Sequence, residues 1–121
     1  MLRAHIGRLR VHQAAVELAA WVLDLARQLR GPGALKHGDQ LVRAALSVPS
    51  NIAEACGRAT VGEFRQFLGY ARGSAKELLS QIGVTRRVEP KLTKQCRTIE
   101  DRCVAVLKQL NRLYDNPPPE R

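Results

Sequence analysis

Aromatic side chains are scarce in this chain: Trp21, Phe64, Phe67, Tyr70 and Tyr114 are all that 121 residues contain. Both phenylalanines fall on an apolar helical seam, so few rings remain for stacking on bases, which argues against a sequence-reading single-strand binder. Cysteine is also sparse. Cys56, Cys96 and Cys103 are an odd number with no CxxC pair and no nearby histidine cluster, which excludes a disulfide framework and a zinc site and fits a reducing, cytoplasmic compartment. Cys96 and Cys103 sit two turns apart on an apolar face and read as small hydrophobes. The histidines, His5, His12 and His37, have no carboxylate at metal-pairing spacing. The Glu-x-x-His signature of a di-iron bundle, the nucleophile elbow, the phosphate-cradling glycine loop and the two-histidine zinc helix are missing as well. No cofactor, metal ligand or catalytic residue is therefore expected, and an enzyme would need side chains distant in sequence to converge, near Glu54 for example. Glu17 and Asp24 interrupt the most hydrophobic stretch, so no membrane span is predicted.

Acidic residues are the other shortage. Eleven Asp and Glu face 20 Lys and Arg, of which 15 are arginine, leaving a formal net charge of +9. Such an excess suits a polyanionic partner, because the guanidinium fork matches phosphate and basic patches release counterions from nucleic acid. Charge that merely keeps a soluble protein dispersed is the plainer reading. The chain is long enough for one core and one domain. Arg3, Arg8 and Arg10, with no acid among the first sixteen residues, faintly resemble a transit peptide. The helical pattern that starts there continues without a break, which marks the segment as mature protein.

What the chain has in abundance is helical spacing of apolar residues, and no stretch alternates as a half-buried strand would. Val11, Ala15, Leu18, Val22, Leu25 and Leu29 form one seam in a first helix over Leu9–Arg30, stopped by Gly31, Pro32 and Gly33. A second helix over Leu35–Cys56 carries Leu41, Ala45, Val48, Ile52 and Ala55, and Pro49 inside it predicts a kink near Ala45–Pro49. Gly57 marks its stop. Thr60 and Glu63 have capping-box spacing and open a third helix, whose Phe64, Phe67, Leu68, Ala71, Ala75, Leu78 and Ile82 share a face. That helix should fade between Gly83 and Val88, with Pro90 in or just after the turn. The fourth helix has Ile99, Cys103, Val106, Leu110 and Leu113 as its seam, and Asn116 with three prolines ends it. Four helices of about 30 Å with short turns predict an all-α, up-down-up-down antiparallel four-helix bundle over 1–115 and a proline-rich tail over 116–121. There is no internal repeat and no linker.

Arg58, Arg65 and Arg72 recur every seven residues, with Lys76 one turn on, and read as a basic stripe on the third helix, away from the phenylalanine seam. Arg86, Arg87, Lys91, Lys94 and Arg97 cluster around the following turn. Together they form a candidate phosphate-backbone interface; the alternative is a solvated face partly paired with Glu63 and Glu77. Gly69, Gly73 and Ser74 on the third helix, and Ala44, Ala45, Ser47, Ser50 and Ala53 on the second, let helix axes approach closely, inside the bundle or across a subunit boundary. Asn51 and Glu54 are the polar residues to expect in a buried or interfacial network. Asn51 is placed to satisfy the carbonyl that Pro49 orphans.

The segments LVRAALSVPSNIAEACGR (Leu41–Arg58) and EFRQFLGYARGSAKELLSQI (Glu63–Ile82) carry a family resemblance. They resemble the bacterial four-helix-bundle proteins first noticed as products of intervening sequences within large-subunit ribosomal RNA genes. More distantly, they are similar to the accessory variability determinant of diversity-generating retroelements. VHQAAVELA (Val11–Ala19) also fits the opening of that family. The resemblance implies a helical bundle assembled as a ring of five, a homopentamer, with a nucleic-acid role; in the retroelement relatives a basic ring associates with a reverse transcriptase and its RNA. His12 stands where the family tends to have an aromatic, and Ala55-Cys56 replaces its usual glycine and aromatic, which bears on packing or on the subunit contact. The arginine-rich turn Arg86–Lys94 replaces a more acidic hairpin and strengthens the basic end.

The function expected from these readings is non-enzymatic binding of RNA or DNA phosphates by a homo-oligomer, through Arg58, Arg65, Arg72, Lys76, Arg86, Arg87, Lys91, Lys94 and Arg97. Pro49, Ser50, Asn51, Glu54, Gly73 and Ser74 are the expected structural and interface residues. The alternative is a scaffold that docks onto a reverse transcriptase.

Overall fold

The computed structural model describes residues 9–119; Arg3, His5 and Arg8 lie outside them, as do the last two residues of the tail. The described residues form four helices and no strand: α1 (Arg10–Ala26), α2 (Ala34–Cys56), α3 (Val61–Val88) and α4 (Thr93–Asp115), with a short 3-10 turn at Pro90–Leu92 before α4. Every seam position expected of α1 is buried, as are Leu41, Ala45, Val48, Ile52 and Ala55 of α2. Phe64, Leu68, Ala71, Ala75, Leu78 and Ile82 of α3 meet Cys96, Ile99, Cys103, Val106 and Leu110 of α4 in the same core. One amphipathic stripe per helix, packed against its neighbours, therefore builds a four-helix bundle. Each helix packs on the next along the chain, and α1 also packs on α4. Leu113 and Phe67 lie at the margin, only partly buried.

One boundary and one residue placement differ from expectation. α1 ends at Ala26 rather than Arg30, because Gln28 N and Leu29 N donate to Leu25 O and Ala26 O and tighten the last turn. Leu29 remains buried all the same, and the chain then reverses through Gly31 and Gly33, both at positive φ. α3 runs 28 residues, about 42 Å, and ends at Val88, the far edge of the expected Gly83–Val88 range. Thr85 sustains it: fully buried on the seam after Ile82, its hydroxyl donates to Gln81 O at 2.8 Å and accepts from His37 Nε2 at 2.7 Å. Arg58, expected on the third helix, lies in the turn between α2 and α3, outside either helix.

The N-cap expected of the capping box is present, with the Glu63 side chain meeting the Thr60 hydroxyl rather than its backbone amide. Thr60 Oγ1 accepts from Glu63 N at 3.1 Å and its hydroxyl donates to Glu63 Oε1, so one orphan amide at the start of α3 is satisfied. Pro49 sits buried inside α2. Asn51, however, does not serve the carbonyl of Ala45 that Pro49 leaves without a donor. Its Nδ2 donates to Ser47 O at 2.9 Å and Ser47 Oγ at 3.0 Å, one turn back on its own helix. Ser47 Oγ also accepts from Ser74 Oγ at 2.8 Å, so Asn51, Ser47 and Ser74 make a polar link across the α2–α3 contact. Glu54 takes no part in it; it is exposed and paired with Arg58. Ser50 and Gly73 face outward, and a Cβ on Gly69 or Gly73 would meet nothing within 4 Å, so these two glycines do not serve close packing inside the bundle. No described helix is long and apolar enough to cross a membrane.

Candidate nucleic-acid interface

The basic residues divide into two sets that linear spacing does not separate. The first is tied down by the fold. Arg58 pairs with Glu54 at 2.8 Å and lies over the Phe67 ring at 4.4 Å, so it sits against the phenylalanine side rather than away from it. The helix begins after Arg58, which removes that residue from the helical phase of Arg65 and Arg72. Arg65 and Arg72 do share a flank, the one that faces α4. Arg65 Nε donates to Tyr114 O at 2.8 Å, Arg72 Nη1 donates to Asn111 Oδ1 at 3.2 Å, and both guanidinium groups lie over the Tyr114 ring, at 5.3 and 4.2 Å. All three arginines are half-buried. Long cationic side chains commonly cover apolar surface in this way, contributing packing as well as charge. Neither Glu63 nor Glu77 neutralises them.

The second set is free. Lys76, Arg87, Lys91, Lys94 and Arg97 are exposed and have no hydrogen-bond or ion-pair partner among the described residues. Arg86 is intermediate: its Nε faces Glu100 Oε1 at 3.4 Å, an ion pair too long and misaligned for a hydrogen bond, so that nitrogen is buried without an acceptor. Further cations join this end of the bundle. The bond from His37 to Thr85 sets the first turn of α2 against the last turn of α3, and a notch between them is lined by Arg30, Ala34, Val84 and Glu89. Lys36, in the first turn of α2, and Arg27, just past the end of α1 and beside Asp39, are exposed at the same end of the bundle. Arg30 does not, since its Nη1 caps the carbonyls of Arg27 and Leu29.

Helix termini sharpen this asymmetry. α2 and α4 both start at this end, with Gly33 and Leu92 as N-cap residues, no side-chain cap and no acid in the first turn. Helix amides turn their positive ends outward here, and the residues around them are Lys36, Lys91 and Lys94. Lysine beside a helix N-terminus is locally unfavourable, and an anion relieves it. α1 is likewise without a side-chain cap or an acid in its first turn, so α3 alone, capped by Thr60 with Glu63 in its first turn, departs from the pattern.

The sequence matches the family model of the 23S rRNA-intervening sequence protein over residues 7–112. The chain belongs to that family. Among solved structures, a protein of unknown function from the S23 ribosomal protein family of Bacteroides thetaiotaomicron aligns with a TM-score of 0.78 at 21% identity, covering 88% of this chain and 99% of that one. At that identity the likeness shows the fold alone. Among curated proteins none matches significantly. In this intervening-sequence protein no three His, Cys, Asp or Glu side chains are grouped so as to hold a metal ion, among the described residues. The cysteines are apolar packing: burial pushes the Cys56 and Cys96 thiols up, with Glu100 adding to the rise at Cys96, and the Cys103 thiol up to about 12. Cys103 Sγ donates to Ala75 O at 3.3 Å.

The free, end-on set was only partly foreseeable. Lys36 and Arg27 carry no sequence signal of their own, because they join the basic end solely through the packing of the α1–α2 turn beside the α3–α4 turn.

Proposed function

We propose that this chain is a non-enzymatic nucleic-acid-binding protein that acts as a homo-oligomer and contacts phosphates, of RNA above all, with the basic end of its bundle. Arg87, Lys91, Lys94 and Arg97, with Lys36 and Arg27 beside them and Lys76 further along α3, supply the contacts; Arg86 lends a partly paired charge. Arg58, Arg65 and Arg72 support this surface mainly by fixing α3 and the end of α4. The observation that carries the reading is that Arg87, Lys91, Lys94 and Arg97, none with an internal partner, lie where two uncapped helix N-termini also point, while Arg10, Arg43, Lys76, Lys108 and Arg112 are spread over the rest of the bundle.

The residue pairs His37–Thr85, Ser47–Ser74, Arg72–Asn111 and Glu17–Arg102 support an up-down-up-down course. A bend of α2 at Pro49 and assembly into a ring of five follow from the same reading, with the open Gly69 and Gly73 surface as a subunit contact. A filter-binding titration with RNA and with DNA at low salt tests the function: measurable affinity that weakens steeply as salt rises is expected, and no retention of either at low salt would end the proposal. Light scattering on the purified protein tests the assembly.

A further inference from the structure

The basic end contains an apolar feature that phosphate contact does not use. Between the α1–α2 turn and the end of α3 lies a notch of about 260 Å3. Its walls include Leu29, Pro32, Ala34, Val84 and Val88, and the two valines are 52% and 62% exposed. This is smaller than the roughly 300–1,000 Å3 of a drug-sized pocket. Three polar residues, Arg30, His37 and Glu89, complete the lining.

The state of His37 follows from its neighbour. The single hydroxyl hydrogen of Thr85 goes to Gln81 O, so toward His37 the hydroxyl oxygen acts as acceptor and Nε2 must carry a hydrogen. In the neutral ring Nδ1 is then an acceptor, and it has no partner among the described residues. With the Glu89 carboxylate, the notch offers two acceptors beside aliphatic walls, surrounded by Lys36, Arg87 and Lys91.

We infer that the notch takes one unpaired nucleobase of the bound strand, an inference that rests on the nucleic-acid reading above. The flat faces of a base fit aliphatic walls, its N–H edge meets His37 Nδ1 and Glu89, and the phosphates on either side meet the flanking cations. An acidic peptide would bring carboxylates against Glu89, and an aliphatic side chain would leave both acceptors unused. A stacked, paired base cannot enter, so the preferred target is a bulge or loop. One captured base is also compatible with the scarcity of aromatic rings, which rules out an extended stacking platform.

The test uses three RNA hairpins with one stem: fully paired, with a single bulged adenine, and with an abasic bulge of the same backbone. The bulged-adenine hairpin should bind about tenfold more tightly than either of the others. When 2-aminopurine replaces the bulged adenine, its emission should change on binding. Ala34→Leu narrows the notch without touching a cation, and should reduce the bulged hairpin to the abasic level with an unchanged circular dichroism spectrum. Equal affinity for the bulged and abasic hairpins, or constant 2-aminopurine emission, would overturn the inference and reassign the notch to a protein side chain. Those results leave the phosphate contacts standing. Failure of all three hairpins to bind would instead remove the nucleic-acid reading, and this inference with it.

Discussion

Replacing Tyr114 by alanine removes the ring that holds two arginines of α3. Arg72 lies 4.2 Å and Arg65 5.3 Å from the ring centroid. Exposed cation–π contacts contribute about 0.5–1 kcal/mol each. The backbone hydrogen bond from Arg65 to Tyr114 O survives the truncation. The ring itself is half-buried, and losing that burial costs roughly another 1 kcal/mol. Tyr114→Ala should therefore destabilise the chain by about 2–3 kcal/mol, which at a urea slope of about 2 kcal/mol/M moves the unfolding midpoint by about 1 M. A double-mutant cycle with Arg72→Ala isolates the contact, and the coupling should be about 0.5–1 kcal/mol. Urea titrations followed by circular dichroism measure all four corners. A coupling energy indistinguishable from zero would refute the ring as a tie on the α3 arginines, leaving Arg72 held by Asn111 alone.

Thr60→Ala deletes the reciprocal cap of α3 and should cost about 1 kcal/mol in thermal or urea unfolding, whereas Thr60→Ser should cost little. The Cys103 thiol, raised by burial from the ordinary 9.0 to about 12, stays protonated in the fold while the unfolded chain ionises. Its contribution to stability is thus complete below pH 9 and is lost as pH climbs toward about 12; urea midpoints should fall over that window in the wild type and less in Cys103→Ala. Native Cys103 should resist alkylation at pH 8, where only about one thiol in ten thousand is ionised, and react once the chain unfolds. On the open side of α3, Gly73→Leu should reduce the mass measured by light scattering if that surface meets a second copy. An unchanged mass would move the subunit contact elsewhere.

The helices were legible because burial follows the 3.6-residue period: Val11 to Leu25, Leu41 to Ala55 and Cys96 to Leu110 are all core, and Thr60–Glu63 announces its own cap. Thr85 was legible in principle, since it continues the spacing of Leu78 and Ile82, but a hydroxyl on an apolar seam draws attention only when its partner is known. That partner, His37, is 48 residues away. The arginines escaped for the same reason. Arg65 and Arg72 recur at a regular interval, yet what decides their role is Tyr114 and Asn111, 49 and 39 residues distant. Periodicity reports which side of a helix a residue occupies; it is silent on what a neighbouring helix places there. Asn51 went to Ser47 instead of Ala45 because the serine offers a carbonyl and a hydroxyl within one turn.

The division between tied and free cations is tested most directly by the salt dependence of RNA affinity in two charge-deleted variants. Each lost phosphate contact lowers the slope of log K against log salt by about 0.7–0.9. Replacing Arg87, Lys91, Lys94 and Arg97 together by alanine should therefore flatten the slope by about 3 to 4 per site, while Arg65→Ala/Arg72→Ala should leave it nearly unchanged. A wild-type slope in the four-residue variant, with the flattening found in the α3 pair instead, would contradict the account.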